Sequence, residues 1–153
     1  MSRYFCDTSA LVKRYVTETG SMWLTATIDP KANNYVFIVR ITYVEIISAI
    51  SRKERVGDIS IVDAAAAKKQ FEIDYLGTLI KVEANEALIL EAGRLAEKHA
   101  LRGYDAVQLA AALQTQQKHR NVGLPLLTLL SADLDLNAAA VSEGMTVDNP
   151  NDH

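Results

Sequence analysis

Four acidic residues stand at positions from which their carboxylates could meet in space: Asp7, Glu45, Asp105 and Asp133. Two such charges about 4 Å apart repel by about 4 kcal/mol at an effective dielectric constant near 20. A cluster of this kind therefore either raises the pKa values of its members or binds a cation. Oxygen-only ligation is typical of Mg²⁺ or Mn²⁺, and such an ion activates water for hydrolysis. The four acids thus predict a site for a divalent metal ion.

The strands and helices that must position these acids follow from apolar patterning. Asp7 and Asp133 each follow a short apolar run that is typical of a buried strand. Glu45 lies one turn into a helical pattern, and Asp105 begins another. The carboxyl ends of parallel strands form the ligand-binding edge of an open α/β sheet. We therefore expect the four side chains at that edge.

The whole chain alternates predicted strands with predicted helices. Strands are predicted immediately before Asp7 and at residues 35–39, 79–82, 126–130 and 145–147. Helices are predicted at residues 10–16, 20–28, 42–55, 60–76, 85–100, 105–119 and 134–142. This alternation indicates an α/β fold, with a central parallel sheet of four to five strands covered by helices on both faces.

Each acid also has a purely structural interpretation as a helix cap. A carboxylate at a strand-to-helix junction accepts the free N–H groups of the helix and suits its dipole. Thr42 and Glu45 have the spacing of a capping box. Asp105 and Gln108 repeat that spacing, and Asp133 could be an N-cap. Only convergence of the acids in space distinguishes a shared site from four separate caps.

Length and composition limit the class of protein. The 153 residues are expected to form a single domain over residues 1–153, and the 49% apolar content is typical of a globular protein. The net charge is −3. If the four acids are left out of the count, 16 basic and 15 acidic residues remain, so the net charge is weak evidence for or against binding of nucleic acid. The single cysteine is typical of a reducing cytoplasm. We find no signal peptide and no apolar run of about 20 residues, so we expect a cytoplasmic protein with no membrane association.

Four segments resemble, in order, the motifs of PIN-domain nucleases. They read DTSALVK at residues 7–13, TYVE at 42–45, LRGYDAVQLAAA at 101–112 and LSADLDL at 130–136. The resemblance runs from about Tyr4 to Ala140, nearly the whole chain. In size, and in having no additional domain, the chain looks most like the VapC-type toxins of bacterial toxin–antitoxin pairs.

This resemblance implies a PIN-like three-layer α/β/α fold and an endoribonuclease that hydrolyses RNA phosphodiester bonds with Mg²⁺ or Mn²⁺. Position by position, it implies an acidic quartet that binds the metal and carries out catalysis: Asp7, Glu45, Asp105 and Asp133. Ser9 matches a position whose hydroxyl supports the metal site, and Thr8 is the alternative. Asp135 could share or replace the role of Asp133.

Contact with RNA phosphates requires basic side chains near these acids. Arg102 is the first choice because it lies closest in sequence to an acid, and Lys13 is another choice. Arg14, Arg40, Arg52, Lys53 and Arg55 are further candidates, although each could equally belong to a solvated helix face. No histidine has an obvious role as a general base, and we expect all three at the surface: His99, His119 and His153.

The resemblance also implies a small cognate antitoxin that covers the active site, and we expect a homodimer. Helices 42–55 and 60–76 have apolar faces that a partner or the core could bury. Three other functions remain open: a housekeeping PIN nuclease for RNA processing, a catalytically inactive PIN-fold binding module, and a haloacid-dehalogenase-like phosphatase. The phosphatase requires a second aspartate two residues after the first, where this chain has Ser9.

Overall fold

One sheet of five parallel strands forms the centre of the fold in a computed structural model that describes residues 1–153. The strands are β1 (Arg3–Cys6), β2 (Tyr35–Val39), β3 (Ile80–Val82), β4 (Thr128–Leu130) and β5 (Thr146–Asp148). They lie in the order β3-β2-β1-β4-β5, and every neighbouring pair is parallel. The predicted α/β fold with a central parallel sheet is confirmed.

Seven α-helices flank the sheet: α1 (Thr8–Leu11), α2 (Ser21–Ile28), α3 (Thr42–Arg55), α4 (Ile61–Gly77), α5 (Glu86–His99), α6 (Gly103–Asn121) and α7 (Leu134–Ser142). Short 3₁₀ turns lie at Val12–Arg14, Pro30–Ala32 and Pro150–Asp152. Helix α6 begins two residues before the predicted start at Asp105. Strand β4 is shorter than predicted, because Leu126 lies outside the paired register and is exposed. No helix combines the length and the apolar composition that crossing a membrane would require.

Successive strand residues point to opposite faces of the sheet and build two separate cores. Phe5 and Leu129 pack into one core together with buried residues of α5, α6 and α7. Their neighbours Cys6 and Leu130 pack into the other, together with buried residues of α1, α2, α3 and α4. The near-continuous apolar strands follow from this arrangement, because a sheet covered on both faces buries side chains on both sides of its central strands.

Strand β1 lies at the point where the strand order reverses. From β1 the chain proceeds to β2 and β3 on one side, then returns to β4 and β5 on the other. The loops that follow β1 and β4 therefore diverge and leave a crevice at the carboxyl ends of these strands. Ligands of open α/β sheets bind in such a crevice. Asp7 directly follows β1, and Asp133 lies in the loop that follows β4. The fold therefore brings both acids to this edge.

The C-terminal segment packs against the beginning of α2. Gly20 has a φ of +82°, and a Cβ atom at this position would lie 2.2 Å from the carbonyl oxygen of Pro150. Only glycine fits there, because both the backbone conformation and the close approach exclude a side chain. The ring of His153 stacks on Trp23 with 3.9 Å between the ring centroids.

His119 does not lie at the surface, and the expectation of three surface histidines is wrong at this position. Its ring is buried and packs edge-on against Phe37. Its Nδ1 lies 2.7 Å from the carbonyl oxygen of Thr115, and its Nε2 lies 3.2 Å from Nη1 of Arg3. The end of α6 packs against the sheet, and this contact buries a residue that sequence alone places at a polar helix end.

Candidate active site

A pocket of about 380 Å³ lies at the carboxyl edge of the sheet, and all four predicted acids line it. Thirteen residues form its walls: Asp7, Thr8, Ser9, Val12, Val44, Glu45, Ser48, Ala49, Arg52, Arg102, Tyr104, Asp105 and Asp133. The four acids and two arginines leave the pocket with a formal charge of −2 when all are ionised. The predicted convergence of acids at this edge therefore exists in the structure.

Asp7 is the most deeply buried of the four acids, at 2% exposure. Burial raises the pKa of its carboxyl from an ordinary value of 3.8 to about 6. Hydrogen bonds from Ser9 oppose this rise in pKa, whereas the nearby charges of Glu45 and Asp105 add to it. The folded state therefore disfavours the ionised form of Asp7, and a bound cation would stabilise that form.

Two serine hydroxyls fix the Asp7 carboxylate and join the ends of β1 and β4. Ser9 donates from Oγ to Oδ2 of Asp7 at 2.6 Å, and Ser131 donates to the same oxygen at 3.2 Å. In turn, Ser9 Oγ accepts from the backbone N–H of Ala132, and Ser131 Oγ accepts from that of Asp133. The structure thus places Ser9 beside Asp7 as predicted. It adds Ser131, whose role is not evident from sequence because the two serines are 122 residues apart.

Glu45 is held by Gln108, a residue on a different helix. Nε2 of Gln108 donates to Oε1 of Glu45 at 2.8 Å, and it also lies 3.1 Å from Oγ1 of Thr8 and 3.0 Å from Oγ1 of Thr42. Burial raises the pKa of Glu45, and hydrogen bonds from Gln108 and Thr8 oppose this rise. Gln108 itself is fully buried, and its Oε1 has no hydrogen-bond partner.

Asp105 and Asp133 face each other across the guanidinium group of Arg102. Nε of Arg102 lies 3.2 Å from Oδ2 of Asp105, and its Nη2 lies 3.4 Å from Oδ2 of Asp133. Burial and then the charge of Asp133 raise the pKa of Asp105, while Arg102 lowers it. Arg102 is 85% exposed, so each ion pair contributes little to stability. The side chain can leave these acids at small cost.

The capping interpretation holds for two of the acids and fails for the other two. Asp7 accepts from the backbone N–H of Ser9, and Asp133 accepts from that of Leu136, so both are N-caps. Glu45 binds no local amide, because its carboxylate turns towards Gln108. Asp105 faces Arg102 and also caps nothing. The capping boxes suggested by spacing are therefore absent. Both acids lie in the first turn of their helices, where the helix dipole favours a negative charge, but neither satisfies a free backbone N–H.

Two of the predicted residues lie outside the acidic pocket. Lys13 is buried, and its ammonium group donates to Oε1 of Glu18 at 3.0 Å and to the carbonyl oxygen of Thr19 at 2.9 Å. A phosphate contact by Lys13 is therefore not supported, because its charge is already paired away from the acids. Asp135 is exposed and lines a different pocket, beside His99. Its charge nevertheless adds to the rise in the pKa of Asp105, so a shared role with Asp133 stays a prediction.

The donor chemistry of the pocket fits a divalent cation such as Mg²⁺ or Mn²⁺, because every acidic ligand offers oxygen. Burial is the largest cause of the raised pKa values of Asp7, Glu45 and Asp105, so a bound cation would favour their ionised forms. However, no three His, Cys, Asp or Glu side chains are grouped closely enough to hold one ion. Glu45 is turned towards Gln108, and Arg102 lies between the other two acids. Metal ligation by the quartet stays a prediction.

Comparison with known proteins identifies the family. The PIN-domain family matches residues 4–141, which include all four acids. The chain belongs to the PIN-domain family. This PIN domain is 34% identical over 147 residues to ribonuclease VapC45 of Mycobacterium tuberculosis, a match that covers 96% of this chain and 95% of the relative. The predicted resemblance to PIN-domain nucleases of the VapC type is confirmed.

Solved structures show the same fold. The PIN domain superposes on VapC20 of M. tuberculosis, a toxin that cleaves the sarcin–ricin loop, with a TM-score of 0.61, 19% identity, and coverage of 90% of this chain and 95% of the other. It also superposes on a chain of VapBC2 from Rickettsia felis, solved bound to a promoter DNA fragment, with a TM-score of 0.61, 14% identity, and coverage of 96% and 98%. The haloacid-dehalogenase-like alternative is thereby excluded, since the PIN fold is a different one.

Proposed function

We propose that this PIN domain is a Mg²⁺- or Mn²⁺-dependent endoribonuclease that hydrolyses RNA phosphodiester bonds in the cytoplasm. The observation that carries this proposal is the convergence of four acids in one pocket, two of which have no structural task as helix caps. The relative VapC45 is named a ribonuclease, which supports RNA as the substrate. An inactive binding module would not require a buried carboxyl group such as that of Asp7, because burial of its ionised form destabilises the fold.

Each pocket residue has a role in this proposal. Asp7, Glu45, Asp105 and Asp133 would hold the divalent ion, which would supply an activated water and stabilise charge on the leaving oxygen. Ser9 and Ser131 hold the carboxylate of Asp7, and Gln108 holds that of Glu45. The carboxylates are thus positioned by hydrogen bonds before substrate binds, which is how outer-sphere groups tune a metal site.

Two arginines are positioned to contact the phosphate backbone. Arg52 lines the pocket on α3, two helical turns after Glu45. Arg102 lies at the rim of the pocket, and its side chain is 85% exposed. In the proposed enzyme, the exposed guanidinium group of Arg102 would exchange its contacts with Asp105 and Asp133 for a contact with a phosphate of the RNA. The guanidinium group suits this task because it forms bidentate hydrogen bonds with phosphate oxygens.

Glu45→Gln tests the proposed site. The substitution retains the shape of the side chain and removes its charge. We expect RNA cleavage to fall by at least about 10- to 100-fold, which is the loss typical of groups that only orient a metal ligand. The measurement is the initial rate of cleavage of total RNA with saturating Mn²⁺. Glu83→Gln is the matched control, because Glu83 pairs with Arg40 outside the pocket. Equal rates for Glu45→Gln and the unaltered protein would exclude Glu45 from the site, and absence of cleavage by the unaltered protein would refute the nuclease.

We propose further that the enzyme is the toxin of a toxin–antitoxin pair and binds a small antitoxin over this pocket. The support is the relative VapC45 and the VapBC structures with the same fold. We expect expression of the chain alone to arrest bacterial growth, and expression with the protein encoded by the adjacent gene to restore it. The measurement is colony count after induction, with Asp7→Asn as the inactive control. Normal growth in every arm would favour a housekeeping nuclease.

The expected homodimer also remains a proposal. Helix α4 carries large apolar side chains that this chain does not bury: Ile61, Val62, Ile73 and Leu76. Exposed apolar surface of this kind is typical of protein–protein contacts. The sequence pattern of α4 therefore suits a second subunit or the antitoxin, in addition to the core contacts of Phe71 and Ala67.

A further inference from the structure

Tyr104 is the most exposed aromatic side chain of the protein, at 57% exposure, and it lines the acidic pocket beside Asp105. It lies in the first turn of α6, immediately before that acid. An aromatic ring exposed to water forgoes about 25 cal/mol for each Å² of apolar surface that burial would remove from solvent. The position of this ring is therefore not explained by the stability of the fold.

The other nine aromatic side chains all pack against the protein itself. Eight belong to or pack against the two cores: Tyr4, Phe5, Tyr15, Trp23, Phe37, Tyr43, Phe71 and Tyr75. The ninth, Tyr35, is covered by the guanidinium group of Arg3, 4.3 Å from its ring centroid. Tyr104 makes none of these ring or cation contacts. Its flat face is open at the place where the proposed reaction occurs.

The surroundings of Tyr104 suit a nucleotide better than an apolar peptide. Only four of the thirteen residues that line the pocket are apolar, and the remainder include four acids and two arginines. A nucleotide combines a flat base, which stacks on an aromatic ring, with a phosphate, which binds arginine or metal. The pocket offers both kinds of contact within one cavity, whereas an apolar peptide would leave its charged walls unpaired.

We propose that Tyr104 is the stacking platform for an unpaired base of the RNA, next to the phosphodiester that is cleaved. This inference rests on the proposed ribonuclease function and adds a base-binding residue to it. A base stacked on Tyr104 must be unstacked from its neighbours, so the enzyme selects single-stranded or looped RNA over a continuous duplex. Sequence preference at this base is weak, because every base has a face that stacks on an aromatic ring.

The test compares binding of two probes to proteins that carry Asp7→Asn and therefore leave the probes intact. One probe is a pool of single-stranded 12-nucleotide RNAs of random sequence, and the other is the same ribose–phosphate backbone without bases. We expect Tyr104→Ala to weaken binding of the first probe by about 5- to 150-fold and to leave binding of the second unchanged. Tyr104→Phe should bind like the parent protein, because the ring is retained.

Val44→Ala is the matched control, because Val44 is 62% exposed in the same pocket but has no flat face. We expect less than a twofold effect. Equal weakening with both probes, or equal weakening by Val44→Ala, would overturn the stacking role. The stacking role would also be overturned if Tyr104→Ala bound RNA normally and lost only its binding of the antitoxin. If the parent protein bound neither probe, RNA would be refuted as the substrate. Failure of the proposed function therefore gives a different result from failure of the stacking role.

Discussion

Asp7→Asn is expected to reduce RNA cleavage by at least about 100-fold, since loss of a metal ligand costs at least as much as loss of the groups that orient one. The same substitution should make the metal-free protein more stable at pH 7. Burial raises the pKa of Asp7 to about 6, which means that the folded state is penalised when this group ionises. Asparagine has a similar shape and still offers an oxygen to the hydroxyl group of Ser9.

The pH dependence of this stability change follows from the direction of the pKa shift. The folded state binds the proton more tightly than the unfolded state, so the free energy of unfolding falls as the pH rises from about 4 to about 6. A shift from 3.8 to about 6 corresponds to about 3 kcal/mol. The gain from Asp7→Asn should thus be absent below pH 4 and reach up to about 3 kcal/mol above pH 6.

Urea denaturation in the presence of a chelator, at pH 4 and at pH 7.5, measures this gain. Asp29→Asn is the control for the chemical change, because Asp29 caps the turn at Pro30–Ala32 outside the acidic pocket. Its effect should stay within about 0.5 kcal/mol at both pH values. Retained cleavage by Asp7→Asn would remove Asp7 from the site, and an unchanged pH dependence would show that its carboxyl ionises normally in the folded state.

Removal of divalent ions is expected to abolish cleavage of RNA, and addition of Mg²⁺ or Mn²⁺ in excess of the chelator should restore it. The physical reason is that the pocket has four acids but no histidine among its lining residues to act as a base. The same ions should raise the melting temperature at pH 7.5 through preferential binding to the folded state. The increase should be much smaller near pH 4, where the carboxyl group of Asp7, with its pKa of about 6, is protonated.

The decisive measurement is cleavage rate and melting temperature with chelator, Mg²⁺ or Mn²⁺, for the unaltered protein and for Asp7→Asn. A melting temperature that rises equally in both proteins would place the ion outside this pocket. Cleavage at the same rate with chelator and with metal would refute a metal-dependent nuclease altogether. Mg²⁺ and Mn²⁺ are compared directly in this design, so it also identifies the preferred ion.

The fold and the four acids were accessible from sequence because short-range patterns determine them. Asp7 and Asp133 follow apolar runs, and the alternation of strands with helices implies parallel strands whose carboxyl ends meet. The order β3-β2-β1-β4-β5 is not encoded in any local pattern, yet it places the crevice beside β1. For Glu45 and Asp105, spacing alone was equally consistent with capping boxes, and the family motifs favoured a place in the site.

Residues that act across long separations could not be predicted. Gln108 has the spacing of a cap with Asp105, but its amide crosses to Glu45, 63 residues away in sequence. Ser131 reaches Asp7 only because β1 and β4 are neighbours. Lys13 stands close to Asp7 in sequence, yet it lies on a 3₁₀ turn that directs its ammonium group to Glu18. Proximity in sequence was therefore a poor guide to the basic residues.

Gln108 belongs to the helical layer on one face of the sheet, whereas Thr8, Thr42 and Glu45 belong to the layer on the other. The side-chain amide group of Gln108 therefore connects the two layers at the rim of the pocket. Sliding of one layer over the other would break three polar contacts at once. The catalytic crevice should therefore retain its shape until the domain melts, with no gradual loosening on warming.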